Sequence, residues 1–241
     1  MTTRPVRPPT VVDRVLSALG ELLITLGVLL MLFVGWQLWW TDVVSERAQA
    51  DTADDLRSTW SGSTPAPADE VPVDQAPTVG DAFALIHIPR FGSDFDPRPV
   101  VEGTTTKVLR DGVGHYRGTA MPGGLGNVAL AGHRVTYGRP FFQIEELQDH
   151  DPVILETEAG WYTYRVTSHE IVSPRDVAVI DPVPRQPQAQ PTRSILTLTA
   201  CHPRYSARQR YIVHADFESF RARADGPPSS VDEVAASDGR T

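Results

Sequence analysis

The hydrophobic pattern changes twice along the chain, and each change marks a different kind of segment. Residues 22–40 are apolar almost without interruption and carry no charge. About twenty such residues suffice to cross a bilayer as a helix, which predicts a transmembrane segment over residues 21–41. Arg4, Arg7 and Arg14 lie before or at its start, and Asp42, Glu46, Asp51, Asp54 and Asp55 follow it. By the positive-inside rule, residues 1–20 are then cytoplasmic and the remainder lies outside the plasma membrane. Trp36, Trp39 and Trp40 crowd the far end, where indole rings favour the interface. Ala48-Gln49-Ala50 resembles a small-residue processing site. The apolar run is longer than a signal core, however, and Asp42, Glu46 and Arg47 intervene, so an uncleaved anchor is expected.

Residues 51–80 are rich in Asp, Ala, Pro, Ser and Thr and too poor in large apolar side chains to bury a core. Residues 42–80 are therefore expected to form an extended tether whose first turns continue the membrane helix. From residue 81 the pattern shortens and alternates. Runs at 84–88, 99–102, 127–133, 152–155 and 161–168 predict strands, with a turn at Ala159-Gly160 joining the last two as a hairpin. A helical turn is expected over 104–110, a glycine-rich loop over 112–126 and a short helix over 140–147 beginning at Pro140. Residues 171–193 contain Pro174, Pro182, Pro184, Pro187 and Pro191, which excludes a central strand and predicts a long surface loop. Close-spaced strands with little helix predict an all-β barrel or sandwich over residues 81–218, followed by a disordered tail over 219–241.

The most informative pattern closes the domain. Residues 194–201 are aliphatic and β-branched and read as a buried strand ending at Cys201. After a connection containing Pro203 and Ser206, the chain alternates: Tyr211, Val213, Ala215 and Phe217 point one way, Arg210, Ile212, His214 and Asp216 the other. Paired antiparallel, the two strands bring Cys201 opposite Arg210. A nearby fixed cation favours the nucleophilic thiolate, and an arginine fork equally suits developing negative charge on a carbonyl oxygen. The plain alternative is a small buried hydrophobe beside a surface arginine.

Composition narrows the chemistry. Cys201 is the sole cysteine, so no disulfide forms within the chain, and the net charge of -8 argues against a nucleic-acid partner. Gly112 and Gly114 lack the third glycine of a dinucleotide fingerprint and no phosphate-loop lysine follows, so no nucleotide cofactor is expected. No metal is expected either: no His-Glu-x-x-His occurs, and Asp176 and Asp181 supply too few oxygens for calcium.

Thr197-Leu-Thr-Ala-Cys201, followed by Arg210, resembles the nucleophile and arginine signature of the sortases. Ala129-Leu-Ala-Gly-His133-Arg134 resembles the segment carrying their histidine, and residues 112–123 resemble the segment before it. The three together are most similar to class E sortases of actinobacteria and cover about residues 82–217. The resemblance implies a closed eight-stranded barrel with one or two short helices, after a single transmembrane helix. It implies a cysteine transpeptidase that cuts a Leu-Ala/Pro-X-Thr-Gly sorting signal between Thr and Gly. Secreted proteins bearing such signals and an amine of the peptidoglycan precursor would be its partners, in wall anchoring or in pilin polymerisation. Cys201 would be the nucleophile, His133 the general acid and base, and Arg210 the oxyanion or substrate-positioning group. Among the seven histidines His202 is adjacent to Cys201 but points to the other face of the strand. Tyr116, His115 and Thr199 would be substrate-binding, with Tyr116 linked to a preference for Leu-Ala signals. Ala200 departs from the pattern, which usually has threonine there and so a hydroxyl near the nucleophile. A different envelope cysteine enzyme of the L,D-transpeptidase type would carry Ser-x-Gly-Cys, which Thr199-Ala-Cys201 does not match. A non-catalytic anchored β-domain is the alternative from outside enzymology.

Overall fold

The computed structural model describes residues 10–62, 71–93 and 95–231. Helix α1 runs Val11–Trp60. Thr10 starts it with a reciprocal cap, its amide donating to Asp13 Oδ2 at 2.9 Å while its hydroxyl accepts from the Asp13 amide at 3.3 Å. The chain divides into two compact units, residues 1–41 and 42–241. In the first, the side chains of Leu22, Leu23, Ile24 and Phe33 are exposed, and α1 is the one helix among the described residues long and apolar enough to cross a membrane.

In the second unit, α1 corrects the expectation of an extended tether. The chain stays helical to Trp60, and Ala53, Leu56 and Trp60 pack on Leu85 of the barrel. The spacing of 49, 53, 56 and 60 is a helical stripe, and its sparse apolar members suffice because the barrel completes the cluster. Arg223 cements the same end, its guanidinium lying 4.8 Å from the ring of Trp60 and 5.0 Å from that of Trp161. The tether's residues 63–70 lie outside the described residues, as do 1–9 of the cytoplasmic segment and 232–241 of the tail.

Eight strands close a barrel in the order β1-β2-β3-β4-β7-β8-β6-β5. The expected strands appear as β1 (Ala82–His87), β2 (Arg98–Glu102), β4 (Gly126–Gly132), β5 (Pro152–Glu156), β7 (Ser194–His202) and β8 (Gln209–Ala222). The hairpin partner of β5 is longer than the alternation suggested: β6 spans Gly160–Val172 because β8 pairs with it along almost its whole length. The glycine-rich loop contains a short strand, β3 (Val113–His115), held between β2 and β4. A helical turn occurs as α2 (Thr106–Asp111), with Thr105 accepting from the Val108 amide as its cap. Residues 140–147 form turns and a 3-10 segment at Ile144–Glu146 rather than an α-helix. The proline-rich connection 173–193 also contains a 3-10 segment, Val177–Ile180. Strand β8 continues to Ala222, past the expected start of the tail, because its end pairs with Gly160 and Trp161.

The interior is filled by alternating side chains of the strands, among them Val128, Leu130, Leu196, Leu198, Val213 and Ala215. Alternation puts the intervening residues of β4, β7 and β8 on the outer face, and the site lies there.

Candidate active site

Strand β7 lies between β4 and β8. It runs parallel to β4, with Ala129 beside Thr197, Ala131 beside Thr199 and Gly132 beside Ala200. β4 ends at Gly132, the partner of Ala200, so His133 and Cys201 are the residues that next follow the last pair of this ladder. On the other side the antiparallel ladder pairs Cys201 directly with Arg210. The sequence-derived trio is thus gathered at the ends of three neighbouring strands.

Each member is held differently. Cys201 is a free thiol and half-buried. His133 is half-buried as well, and its Nε2 is shielded from solvent without a hydrogen-bond partner. Burial pushes its pKa below the usual imidazole value, and the charge of Arg110 adds to the shift. A neutral ring with an unused nitrogen is suited to accept a proton. The ring of Tyr137 packs against it at 5.0 Å, and the His133 carbonyl accepts from the Phe141 amide at 3.1 Å. Phe141 closes so tightly over the strand end that a Cβ on Gly132 would come within 2.4 Å of its ring. Arg210 folds back over the β7–β8 connection, Nη1 donating to the carbonyls of Ala207 at 3.1 Å and Gln209 at 3.0 Å. That leaves Nε and Nη2 of its fork without a hydrogen bond among the described residues.

The three substrate-binding candidates separate. Tyr116 and Thr199 meet on the outer face, their hydroxyls 3.2 Å apart. His115, by contrast, is fully buried: Nδ1 lies 2.6 Å from Glu102 and Nε2 lies 2.9 Å from the Thr119 hydroxyl. Both ring nitrogens are taken, so His115 is a structural residue rather than one a substrate could reach.

Pattern alone missed a set of residues behind the nucleophile. Arg134 is 2% exposed and its Nη1 donates to the Cys201 carbonyl at 3.1 Å. It also pairs with Glu145, whose other oxygen lies 2.9 Å from Nδ1 of His202. Burial alone would raise the Glu145 carboxyl, but Arg134, helped by His202 and Arg204, holds it below the usual carboxylate value. The available signal was a charged residue directly after His133, on the strand face opposite it.

A second network supports the floor. Asn127 donates through Nδ2 to the carbonyls of Val179 and Asp181, at 3.3 and 3.1 Å. Its Oδ1 accepts from the Thr197 hydroxyl at 2.7 Å. Thr197 lies 2.9 Å from His214 Nδ1, and His214 Nε2 lies 3.1 Å from Glu170. The 173–193 connection is therefore tied to the outer face of β4 and β7.

The sortase domain family matches residues 86–218, more than half of the chain. The chain belongs to the sortase family. Sortases are cysteine transpeptidases. Among curated relatives, sortase SrtE1 of Streptomyces coelicolor is 37% identical over 89% of this chain, which spans 60% of that protein's length. The solved sortase E of Streptomyces avermitilis superposes with a TM-score of 0.58 and 43% identity, covering 64% of this chain and 99% of that one. Sortase E1 of Streptomyces coelicolor, solved with a tripeptide in its active site, superposes with a TM-score of 0.58 and 38% identity, covering 66% and 99% of the two chains. Against the usual sortase signature, the departure at Ala200 falls on the inner face: the residue is 2% exposed and part of the core. A hydroxyl is thus missing from the barrel interior, not from the face that carries Cys201.

Proposed function

We propose that this sortase is a membrane-anchored transpeptidase in which Cys201 attacks the Thr carbonyl of a Leu-Ala/Pro-X-Thr-Gly sorting signal. The observation that supports this reading is the pairing of Cys201 with Arg210, with His133 directly after the end of the strand beside them. His133, neutral at rest, takes the thiol proton as sulfur bonds to carbon. The free donors of Arg210 face the oxygen on which negative charge develops. Collapse breaks the Thr–Gly C–N bond, His133 returns the proton to the leaving amine, and a thioester on Cys201 remains. An amine, supplied by a peptidoglycan precursor, then attacks the thioester with His133 again accepting the proton, and the thiol is released. Tyr116, half-buried, lines the approach to the nucleophile, and the buried Thr199 holds its hydroxyl from beneath. The apolar part of α1 serves as the anchor, with the charge pattern placing residues 1–20 in the cytoplasm and the barrel outside.

The test is turnover of fluorogenic Leu-Ala-X-Thr-Gly and Leu-Pro-X-Thr-Gly peptides by the full chain in detergent, with and without an added amine. Mass spectrometry should detect a thioester adduct on the parent and none on Cys201→Ala, whose fold is unchanged. Turnover persisting in Cys201→Ala would remove the enzymatic assignment of this residue.

A further inference from the structure

One buried polar side chain of α1 has no place in the packing of an ordinary helix. Gln49 is 1% exposed, on the part of the helix that belongs to the barrel unit. Its Nε2 donates to two carbonyls at once, that of Tyr137 at 3.1 Å and that of Arg110 at 3.2 Å. Its Oε1 accepts from Nη1 of the buried Arg98 at 3.5 Å. All three amide functions are thus spent on the barrel.

The two carbonyls belong to residues linked to His133. The Tyr137 ring packs tilted against the imidazole at 5.0 Å, and the Arg110 guanidinium lies 5.1 Å from the centre of that same Tyr137 ring. Arg110 is also the charge that, after burial, lowers the His133 pKa. The segment after His133 needs such support, since Tyr137, Gly138 and Arg139 all have positive φ (53°, 75° and 46°). Left-handed tyrosine and arginine are unfavourable and persist only where their surroundings impose them. A Cβ on Gly138 would sit 3.1 Å from Gln49 Oε1, and Arg139 reaches Asp42 of the same helix at 3.6 Å.

We propose that Gln49 is a positioning residue for His133: one side-chain amide on α1 fixes the backbone of Tyr137, whose ring packs against the imidazole, and of Arg110, whose guanidinium lies over that ring. The helix leading into the domain is then part of the catalytic apparatus rather than a stalk. This inference rests on the assignment of His133 as the general acid and base. Of the groups that bear or can bear charge, Tyr137 from the following loop packs against the ring and Arg110 from α2 acts on it through its charge, while Cys201 of β7 and Arg210 of β8 lie at the same end of the neighbouring strands.

The experiment compares the full chain in detergent with Gln49→Leu, Trp60→Ala and His133→Gln, reading kcat, KM, the pH profile of kcat/KM and the melting temperature. Leucine keeps the buried volume and removes the donors. Gln49→Leu is expected to lower kcat about tenfold with KM nearly unchanged, because the ring loses its fixed place. Its acid limb is expected to move up toward the ordinary imidazole value as the enclosure opens. Trp60→Ala, which loosens the same helix at its end, should lower the melting temperature and leave the acid limb where it was. An active, His133-dependent enzyme whose kcat and acid limb ignore Gln49→Leu overturns the proposal alone, as does a Trp60→Ala variant with the same shifted limb. An inactive parent, or His133→Gln at the parental rate, overturns the assignment of His133 and this proposal with it.

Discussion

Arg134 donates a hydrogen bond to the carbonyl oxygen of Cys201 while its own charge is matched by Glu145. Truncating Arg134 would take a donor from that carbonyl and leave Glu145, one-third exposed, with His202 as its close partner. Leaving a buried acceptor without its donor typically destabilises by about 1–3 kcal/mol. We expect Arg134→Met to lose stability on that scale in urea unfolding, and Arg134→Met with Glu145→Gln to recover part of the loss. Equal stability of the two variants would mean that the lone carboxylate is not the source of the penalty.

Arg210→Lys keeps the charge and gives up the planar fork. Loss of a single oxyanion donor lowers turnover by about 100- to 1000-fold, the fall expected from the role proposed for Arg210. The packing residues of β8 lie on the other face, among them Val213 and Ala215, so the melting temperature should change little. A variant that melted far below the parent would instead point to the bonds from Nη1 to Ala207 and Gln209 as the residue's main role. Arg204 is a poor substitute, since its guanidinium is stacked 4.3 Å from the ring of Phe142.

The acid limb of kcat/KM should fall below 6.5, the ordinary imidazole value, because burial and Arg110 both disfavour protonated His133. Arg110→Gln should move it upward. Stability follows the same direction. A histidine whose folded pKa is depressed binds protons better unfolded, so its contribution is intact above 6.5 and erodes as pH falls below it. Glu145 and Glu156 are depressed carboxylates, whose contributions are intact above 4.5 and lost as pH falls through their folded values. Urea midpoints should therefore decline steadily with acidification, and a midpoint that rose on acidification would contradict all three assignments.

Cleavage after Ala50 is not expected. Ala48, Gln49 and Ala50 are helical, and Gln49 is buried against the barrel, whereas a processing peptidase needs an accessible, unwound chain. Intact mass of the membrane-extracted protein checks this, and a mature N-terminus at Asp51 would refute it.

The parts of this site that were legible in the sequence are the local ones. Cys201 and Arg210 share a hairpin, and the alternation of β8 fixes which residues face the core, so their opposition follows from spacing. His133 is different: its place beside Cys201 depends on parallel pairing of β4 with β7 across more than sixty residues, which no local period encodes. It was reachable only through resemblance to the sortase motif. The docked part of α1 was obscured because Gln49, Ala53, Leu56 and Trp60 are diluted among aspartates, serines and threonines that composition assigns to a tether. His115 was misplaced because a glycine-rich neighbourhood suggested a loop, while β3 carries it into the interior beside Glu102.

A barrel that closes on itself leaves no strand with an open side. An extended polypeptide arriving at this domain cannot zip onto a sheet edge and gain affinity from a ladder of main-chain bonds. Discrimination must then come from side chains and from connections such as 173–193. The same closure protects the domain itself, which presents no strand edge through which copies could polymerise.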